Sequence, residues 1–93
     1  MRLDLYLSKV CLLKTRSQAA RSLERGEIRL NGDIPRPSRE VKPGDLIEMT
    51  TDRRELRVRV VLVPEKNVSR KEAHSCYETL LDRARERWEE DAE

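Results

Sequence analysis

The fold of this chain is decided by residues 14–26, which read KTRSQAARSLERG. Thr15 and Gln18 form a Thr-x-x-Gln capping box, and this pattern predicts a helix that begins there and runs to about Arg25. Gly26 follows, and glycine commonly ends helices because it adopts the left-handed conformation freely. At about 100° per residue, the apolar side chains share one side of this helix and the basic ones share the other.

A first helix precedes this segment and a short strand follows it. Apolar residues at spacings of three and four predict a helix over about residues 3–12; they are Leu3, Tyr6, Leu7, Val10 and Leu13. After Gly26 the period changes to two, which predicts a strand over residues 27–30. Asn31-Gly32 is a type I′ turn signal, because both central positions of that turn need positive φ. The return strand is expected to start at Asp33-Ile34.

Two further strands complete the predicted sheet. Prolines at positions 35, 37 and 43 predict a stiff, irregular link over residues 35–44. Residues 46–49 then alternate as a short strand, and residues 56–62 alternate as the longest one.

A helix is predicted at the C-terminal end of the chain. Ser69 and Glu72 form a second capping box, and an apolar stripe at helical spacing follows as far as Trp88. Residues 89–93 are an acidic tail. The prediction is therefore an α+β fold, with two N-terminal helices packed on a small antiparallel sheet over residues 1–63 and a C-terminal helical extension with an acidic tail over residues 64–93.

Composition excludes several classes of protein. The 93 residues are 41% charged and 3% aromatic, with a net charge of +2. No apolar run approaches the roughly 18 residues of a spanning helix, and the N-terminus lacks the apolar core of a signal peptide. Cys11 and Cys76 are far apart and His74 is the single histidine, so we expect buried, reduced cysteines, no metal site and no cofactor. The expected location is the cytoplasm, with no membrane partner.

Charge is unevenly distributed along the chain. Residues 1–62 carry fourteen basic and nine acidic residues, a net charge of +5, whereas residues 63–93 carry six and nine, a net charge of −3. A basic body predicts an anionic polymer as partner, and the planar guanidinium of arginine suits phosphate recognition. The candidate contacts are Arg2, Lys9, Lys14, Thr15, Arg16, Ser17, Gln18, Arg21 and Arg25. The alternative interpretation is a solvated charged face without a ligand.

The aromatic residues bear on which nucleic acid is bound. Single-strand binders use aromatic stacking platforms, and here Tyr6, Tyr77 and Trp88 all lie on or beside apolar helix stripes. Folded RNA read through its backbone therefore fits better than single-stranded RNA. Duplex DNA stays open as a partner, because two short helices joined by a turn are also typical of a helix-turn-helix regulator.

Short motifs in order across residues 1–49 closely resemble the S4 RNA-binding domain. They are Met1-Arg2-Leu3-Asp4, Lys14-Thr15-Arg16-Ser17-Gln18-Ala19, Gly26, Ile28, Asn31-Gly32, Pro37-Ser38 and Val41-Lys42-Pro43-Gly44-Asp45. The short chain and its acidic tail are similar to the stand-alone bacterial members of the family, of the small heat-shock type and of the quality-control P-site type. The resemblance implies an S4-like fold with the alpha-L motif, and an S4-like RNA-binding domain over residues 1–63.

The resemblance also implies a function. Stand-alone members bind the large ribosomal subunit stalled with peptidyl-tRNA in ribosome-associated quality control, so the implied partners are large-subunit ribosomal RNA, tRNA, the ribosome and a quality-control protein factor. A non-enzymatic monomer is expected. Among the candidate contacts, Arg2 and Arg16 match the family's RNA contacts best. The proline-rich link adds three secondary contacts: Arg36, Ser38 and Arg39. The chain departs from the family pattern at Leu5 and near Cys11, where basic residues are common.

Three alternatives remain open at this point. The first is a helix-turn-helix DNA-binding regulator, and the second is an RNA-binding protein of ribosome assembly. The third is an RNA-modifying enzyme, since S4 domains occur fused to pseudouridine synthases and to a tRNA synthetase. The enzyme is disfavoured because the chain is short and shows no nucleophile–base pair.

Overall fold

The computed structural model describes residues 1–65 and 68–84. Two helices come first, and they are α1 (Leu3–Lys9) and α2 (Arg16–Glu24). Three strands follow, β1 (Ile28–Leu30), β2 (Leu46–Thr50) and β3 (Arg54–Val60). A single-turn helix, α3 (Arg70–Ala73), then leads into a last strand, β4 (Tyr77–Ala84). The predicted α+β class is confirmed. None of the helices within the described ranges has the length and apolar character needed to cross a membrane.

The four strands form one antiparallel sheet in the order β1-β2-β3-β4. Its inner face supplies alternate buried residues, as the period of two predicts: Ile28, Leu30, Ile47, Met49, Leu56, Val58 and Val60. The helices bury their apolar sides in the same core: Leu3, Tyr6, Leu7, Val10, Ala19 and Leu23. The core thus places both helices on one face of the sheet.

The turn after β1 forms as its sequence predicts, but the returning strand lies elsewhere. Asn31 and Gly32 both have positive φ, at 53° and 88°. The expected return at Asp33-Ile34 is limited to one bridge between Leu30 and Asp33, and the partner of β1 is β2, which begins at residue 46. The Asn31 side chain holds the two ends together, because its Oδ1 accepts the Leu46 N–H at 2.9 Å.

The proline-rich link runs past the start of α1. The carbonyls of Arg39 and Pro37 accept the N–H groups of Leu3 and Asp4 at 2.8 and 3.2 Å. These are first-turn amides of α1, which have no partner within the helix. The link therefore completes the N-terminus of α1 and carries its own polar side chains to that end of the molecule.

The predicted C-terminal helix is wrong beyond its first turn. The Ser69–Glu72 capping box forms as predicted, but α3 ends at Ala73, and the next residues form β4 along β3. Pairing satisfies backbone groups that β3 would otherwise expose as an edge strand, and charged pairs bridge the two strands, such as Arg54 with Asp82 at 2.9 Å. The apolar stripe misled because it enters the core only at its start: Ala73 and Cys76 are buried, whereas Leu80 is 42% exposed. Trp88 and the acidic tail lie outside the described residues.

Strand β4 and α3 are tied to the first helix through a buried hydrogen bond. The hydroxyl of Tyr6 donates to the carbonyl of Cys76 at 3.0 Å, and burial raises the pKa of the Tyr6 hydroxyl above its ordinary value. The same carbonyl accepts the N–H groups of Val61 and Leu62. The Cys76 carbonyl therefore links the residues just after β3, Val61 and Leu62, to Tyr6 of α1.

Helix α1 ends at Lys9, three residues before the predicted end. The N–H of Leu12 donates to the Leu7 carbonyl at 3.0 Å, and that of Cys11 donates to the Ser8 carbonyl at 3.1 Å, which is the Schellman pattern. Cys11 occupies the left-handed position, with φ of 63°. The expectation of a buried cysteine is wrong for Cys11, which is exposed because it caps the helix, and confirmed for Cys76.

Replacing Cys11 with glycine is expected to raise the free energy of unfolding by about 0.5–1 kcal/mol. A side chain in the left-handed region costs about 1–2 kcal/mol, and the greater chain entropy of glycine offsets about 0.5–1 kcal/mol of the gain. Urea denaturation measures the difference. Cys11→Ala is the control, because alanine keeps the β-carbon and gains nothing; equal stability of the two variants would remove strain at this position as the cause.

Candidate nucleic-acid interface

Asp4, on the first turn of α1, joins the starts of the two long helices. Its side chain is buried, and its Oδ2 lies 3.2 Å from Arg2 Nη2 and 3.4 Å from Arg16 Nε. Its Oδ1 accepts the N–H of Leu5 at 2.7 Å. The two arginine side chains nevertheless stay 50% exposed. One buried carboxylate therefore orients two guanidinium groups at the surface, where their remaining N–H groups are available to phosphate oxygens.

The start of α2 is fixed by a modified capping box. The hydroxyl of Thr15 accepts the N–H of Gln18 at 3.0 Å, as predicted. The reciprocal bond differs, because the Gln18 side chain accepts the N–H of Lys14 at 3.2 Å rather than that of Thr15. Thr15 and Gln18 thus hold the loop between the helices, and Arg16 and Ser17 follow on the exposed first turn of α2.

Four of the predicted contacts line one shallow cleft of about 380 Å³, which lies between α1, the interhelical loop and the start of α2. They are Lys9, Lys14, Thr15 and Arg16. Leu5 and Ser8 from α1, Cys11 and Val68 complete the lining. The described lining therefore contains three cationic side chains and no carboxylate, which suits an anionic ligand.

The proline-rich link contributes exposed side chains beside Arg2. The backbone bonds from Leu3 and Asp4 to the link fix Arg39 and its neighbours at the start of α1. Arg36, Ser38 and Arg39 are all exposed there. The three secondary contacts inferred from the family resemblance therefore lie on the same end of the molecule as Arg2.

The last two predicted contacts lie further along α2. Arg21 and Arg25 are exposed, but Arg25 is about 14 Å along the helix axis from Arg16, at a rise of about 1.5 Å per residue. Arg25 lines a different cleft, of about 670 Å³, together with Arg29, Glu48 and Asp52. The structure thus groups Arg2, Arg16, Lys9 and Lys14 at one end and leaves Arg25 at the other.

Two residues beside the interhelical loop were not singled out by the sequence. Arg70 and His74 line a second cleft together with Lys14. The capping box at Ser69 is the only signal that places Arg70 at the start of a helix, and no spacing in the sequence indicates that α3 lies against the interhelical loop.

Comparisons with known proteins find similarity over most of the chain. The model of the S4 domain family matches residues 1–47. A Helicobacter pylori protein named RQC P-site tRNA stabilizing factor is 37% identical over 75 residues, which cover 80% of this chain and 89% of that protein. A Bacillus subtilis protein of the same name is 35% identical over 81 residues, covering 87% of this chain and 92% of that protein.

Two further similarities concern heat-shock proteins. A protein from Aeromonas salmonicida named Heat shock protein 15 homolog is 36% identical over 84% of this chain and 59% of its own length. The solved trimeric structure of Vibrio cholerae Heat Shock Protein 15 superposes with a TM-score of 0.79 and 28% identity, covering 85% of this chain and 80% of that chain. The similarity therefore extends beyond the two helices to most of the fold.

Proposed function

Because the chain belongs to the S4 domain family, we propose that it is a non-enzymatic RNA-binding factor that binds the large ribosomal subunit and tRNA in the cytoplasm. The observation that carries the proposal is the exposed pair of Arg2 and Arg16 held by the buried Asp4. Guanidinium groups fixed in this way lose little side-chain freedom when they bind a phosphate, so their orientation contributes to affinity.

The proposed mechanism is backbone clamping of folded RNA. Arg16, Lys14 and Lys9 line the cleft between the helices, and Arg2 extends the positive surface toward the proline-rich link. Such contacts fix the register and orientation of an RNA without reading its bases. The proposed ligand is therefore folded RNA of defined shape. Phosphates of large-subunit ribosomal RNA and of tRNA lie close enough together to contact the same positive surface.

We assign the factor to ribosome-associated quality control, acting on stalled large subunits that carry peptidyl-tRNA. Support comes from the names and the high coverage of the P-site relatives, of which this chain spans 89% and 92% in two cases. Two further points remain predictions. The chain is expected to be a monomer, and a quality-control protein factor is expected to be a further partner. Light scattering of the free chain tests the monomer, and equal binding to empty, assembling and peptidyl-tRNA-bearing subunits would contradict the quality-control role.

Binding is expected to weaken steeply with salt. If five or six phosphates are neutralised, log K falls with log salt at a slope of roughly −4.5 to −5.4 under the duplex rule of about −0.9 per phosphate. Isotherms with purified large ribosomal subunits from about 50 to 200 mM salt measure the slope. A slope near zero would reject backbone clamping.

A competition experiment separates this function from DNA regulation. Unlabelled duplex DNA and unlabelled tRNA are each titrated against the chain bound to large subunits at one salt concentration. We expect tRNA to compete and duplex DNA to compete only weakly, because shape as well as charge decides the binding of folded RNA. Stronger competition by duplex DNA would favour the helix-turn-helix regulator.

A further inference from the structure

A second cleft lies on the other side of the interhelical loop. Its volume is about 410 Å³, and it is lined by Ser8, Cys11, Leu12, Leu13, Lys14, Arg70 and His74. It shares Ser8, Cys11 and Lys14 with the cleft that Lys9 and Arg16 line. The two clefts therefore adjoin along the loop, with Lys14 at the boundary between them.

The position of α3 is fixed by core packing and hydrogen bonds. Ala73 and Cys76 are buried in the core, and the Cys76 carbonyl accepts the hydroxyl of Tyr6 at 3.0 Å. The capping box of Ser69 and Glu72 fixes the start of the turn. Ala73 thus anchors α3 in the core, and the hydrogen bond from Tyr6 fixes the residues just after α3 against α1.

Arg70 and His74 lie on the side of α3 that adjoins the buried Ala73, because residues three and one positions away on a helix are about 60° and about 100° from it. They are four residues apart, so they project from one face of the helical turn, and both are exposed. Glu72 is the nearest acidic residue along α3, but its carboxylate is engaged with the Ser69 backbone and hydroxyl at 3.2 Å. Lys14 thus lies on one wall of the cleft, and Arg70 and His74 lie on the other. No carboxylate is among the described residues that line it.

We propose that Arg70 and His74 form the second wall of an RNA backbone-binding cleft, in which a phosphodiester segment lies between α3 and the interhelical loop and continues the path from Arg16. The inference rests on the proposed function and extends it to a part of the chain beyond residues 1–47, the match to the S4 family model. Arg70 and Lys14 donate to phosphate oxygens from opposite sides. The half-buried Leu12 and Leu13 give the cleft an apolar floor, which suits the ribose ring.

The test compares Arg70→Gln with Arg53→Gln in binding to purified large ribosomal subunits. Both changes remove one exposed positive charge, but Arg53 lies in the β2–β3 turn and lines neither cleft. We expect Arg70→Gln to weaken binding about three- to ten-fold and to reduce the magnitude of the salt slope by about 0.9. The control is expected to leave the affinity and the slope within error of the unmodified chain.

Two additional variants separate a contact from a structural role. Arg70→Lys keeps the charge and is expected to restore the slope, whereas His74→Ala removes one donor and is expected to weaken binding about two- to three-fold without changing the slope. Circular dichroism of both variants is expected to match that of the unmodified chain, because both side chains are exposed. His74 Nδ1 also lies 3.4 Å from the Tyr77 hydroxyl, so urea denaturation of His74→Ala measures what this contact contributes to stability.

The outcomes distinguish this inference from the function on which it rests. If the unmodified chain binds, Arg16→Ala weakens binding and Arg70→Gln behaves like the Arg53 control, then the second wall is refuted and the proposed function stands. If the unmodified chain does not bind large subunits, both are refuted.

Discussion

Replacing Arg16 with alanine is expected to weaken binding to the large ribosomal subunit about ten- to hundred-fold. The guanidinium lies at the point where the two helices meet and is held by Asp4 at 3.4 Å while half its surface remains exposed. A charge-assisted hydrogen bond contributes about 1.5–3 kcal/mol, and about 1.4 kcal/mol corresponds to a ten-fold change in affinity. The loss of affinity on removing this oriented arginine is therefore expected to exceed the loss on removing a single solvated charge.

The measurement is a set of binding isotherms at fixed salt, with circular dichroism of each variant. Arg53→Ala is the matched control, because it removes the same charge from an exposed turn. Arg16→Lys is informative as well, since lysine keeps the charge but lacks the planar fork, so it is expected to recover only part of the affinity. Unchanged affinity of Arg16→Ala with an intact spectrum would remove Arg16 from the interface.

Local signals in the sequence predicted the first two helices, the order of β1, β2 and β3 and the start of α3, but not the partner of β1, because the return strand expected at Asp33-Ile34 is limited to one bridge. The cap at Thr15, the turn at Asn31-Gly32 and the capping box at Ser69 depend on hydrogen bonds or backbone angles among residues a few positions apart. Interactions of that range act in the same way whatever the rest of the chain does. For this reason the order of the first helices and strands was predictable.

Strand β4 was not predictable in the same way. Its pairing with β3 joins residues 17 to 30 positions apart, from Val60 with Tyr77 to Arg54 with Ala84, and no local rule selects that pairing over a helix. The side chains of Arg54 and Asp82 also form a bidentate pair between these strands. The Arg54 guanidinium, through this hydrogen bond, holds the pKa of the Asp82 carboxyl below its ordinary value. Pairing with β3 thus prevailed over the helical spacing of the apolar residues. Those of them that lie in β4 are not buried in the core.

The candidate site shows the same division. Sequence reasoning identified the cations of the two helices because charge and helical spacing are visible along the chain. It did not identify Arg70, because the place of α3 depends on the bond from Tyr6 to Cys76 across 70 residues. A surface assembled from distant segments requires the tertiary structure before its members can be grouped.

Replacing Asp4 with asparagine is expected to lower the free energy of unfolding by about 1.5–3 kcal/mol. The buried carboxylate accepts from Leu5 through Oδ1 and pairs with Arg2 and Arg16 through Oδ2. An asparagine amide has one uncharged oxygen, and its NH2 group is a donor that cannot replace the second carboxylate oxygen. The cost stays in this range because the two arginines are half exposed and regain water. For a domain of 60–100 residues, the melting temperature falls by about 4–8 °C for each kcal/mol. Thermal denaturation measures this shift, and Asp33→Asn, an exposed acid beside the β1 turn, is the control.

The same substitution separates orientation from charge in RNA binding. Asp4→Asn raises the net charge by one, so an interface that depended on charge alone would bind large subunits more tightly and with a steeper salt slope. An interface that depends on two oriented guanidiniums would lose affinity despite the added charge, by about three- to ten-fold if one charge-assisted contact is weakened. Binding measured well below the melting temperature of the variant decides between them. Tighter binding by Asp4→Asn would show that Asp4 only reduces a positive surface, and the buried carboxylate would then have no part in arranging Arg2 and Arg16 for RNA.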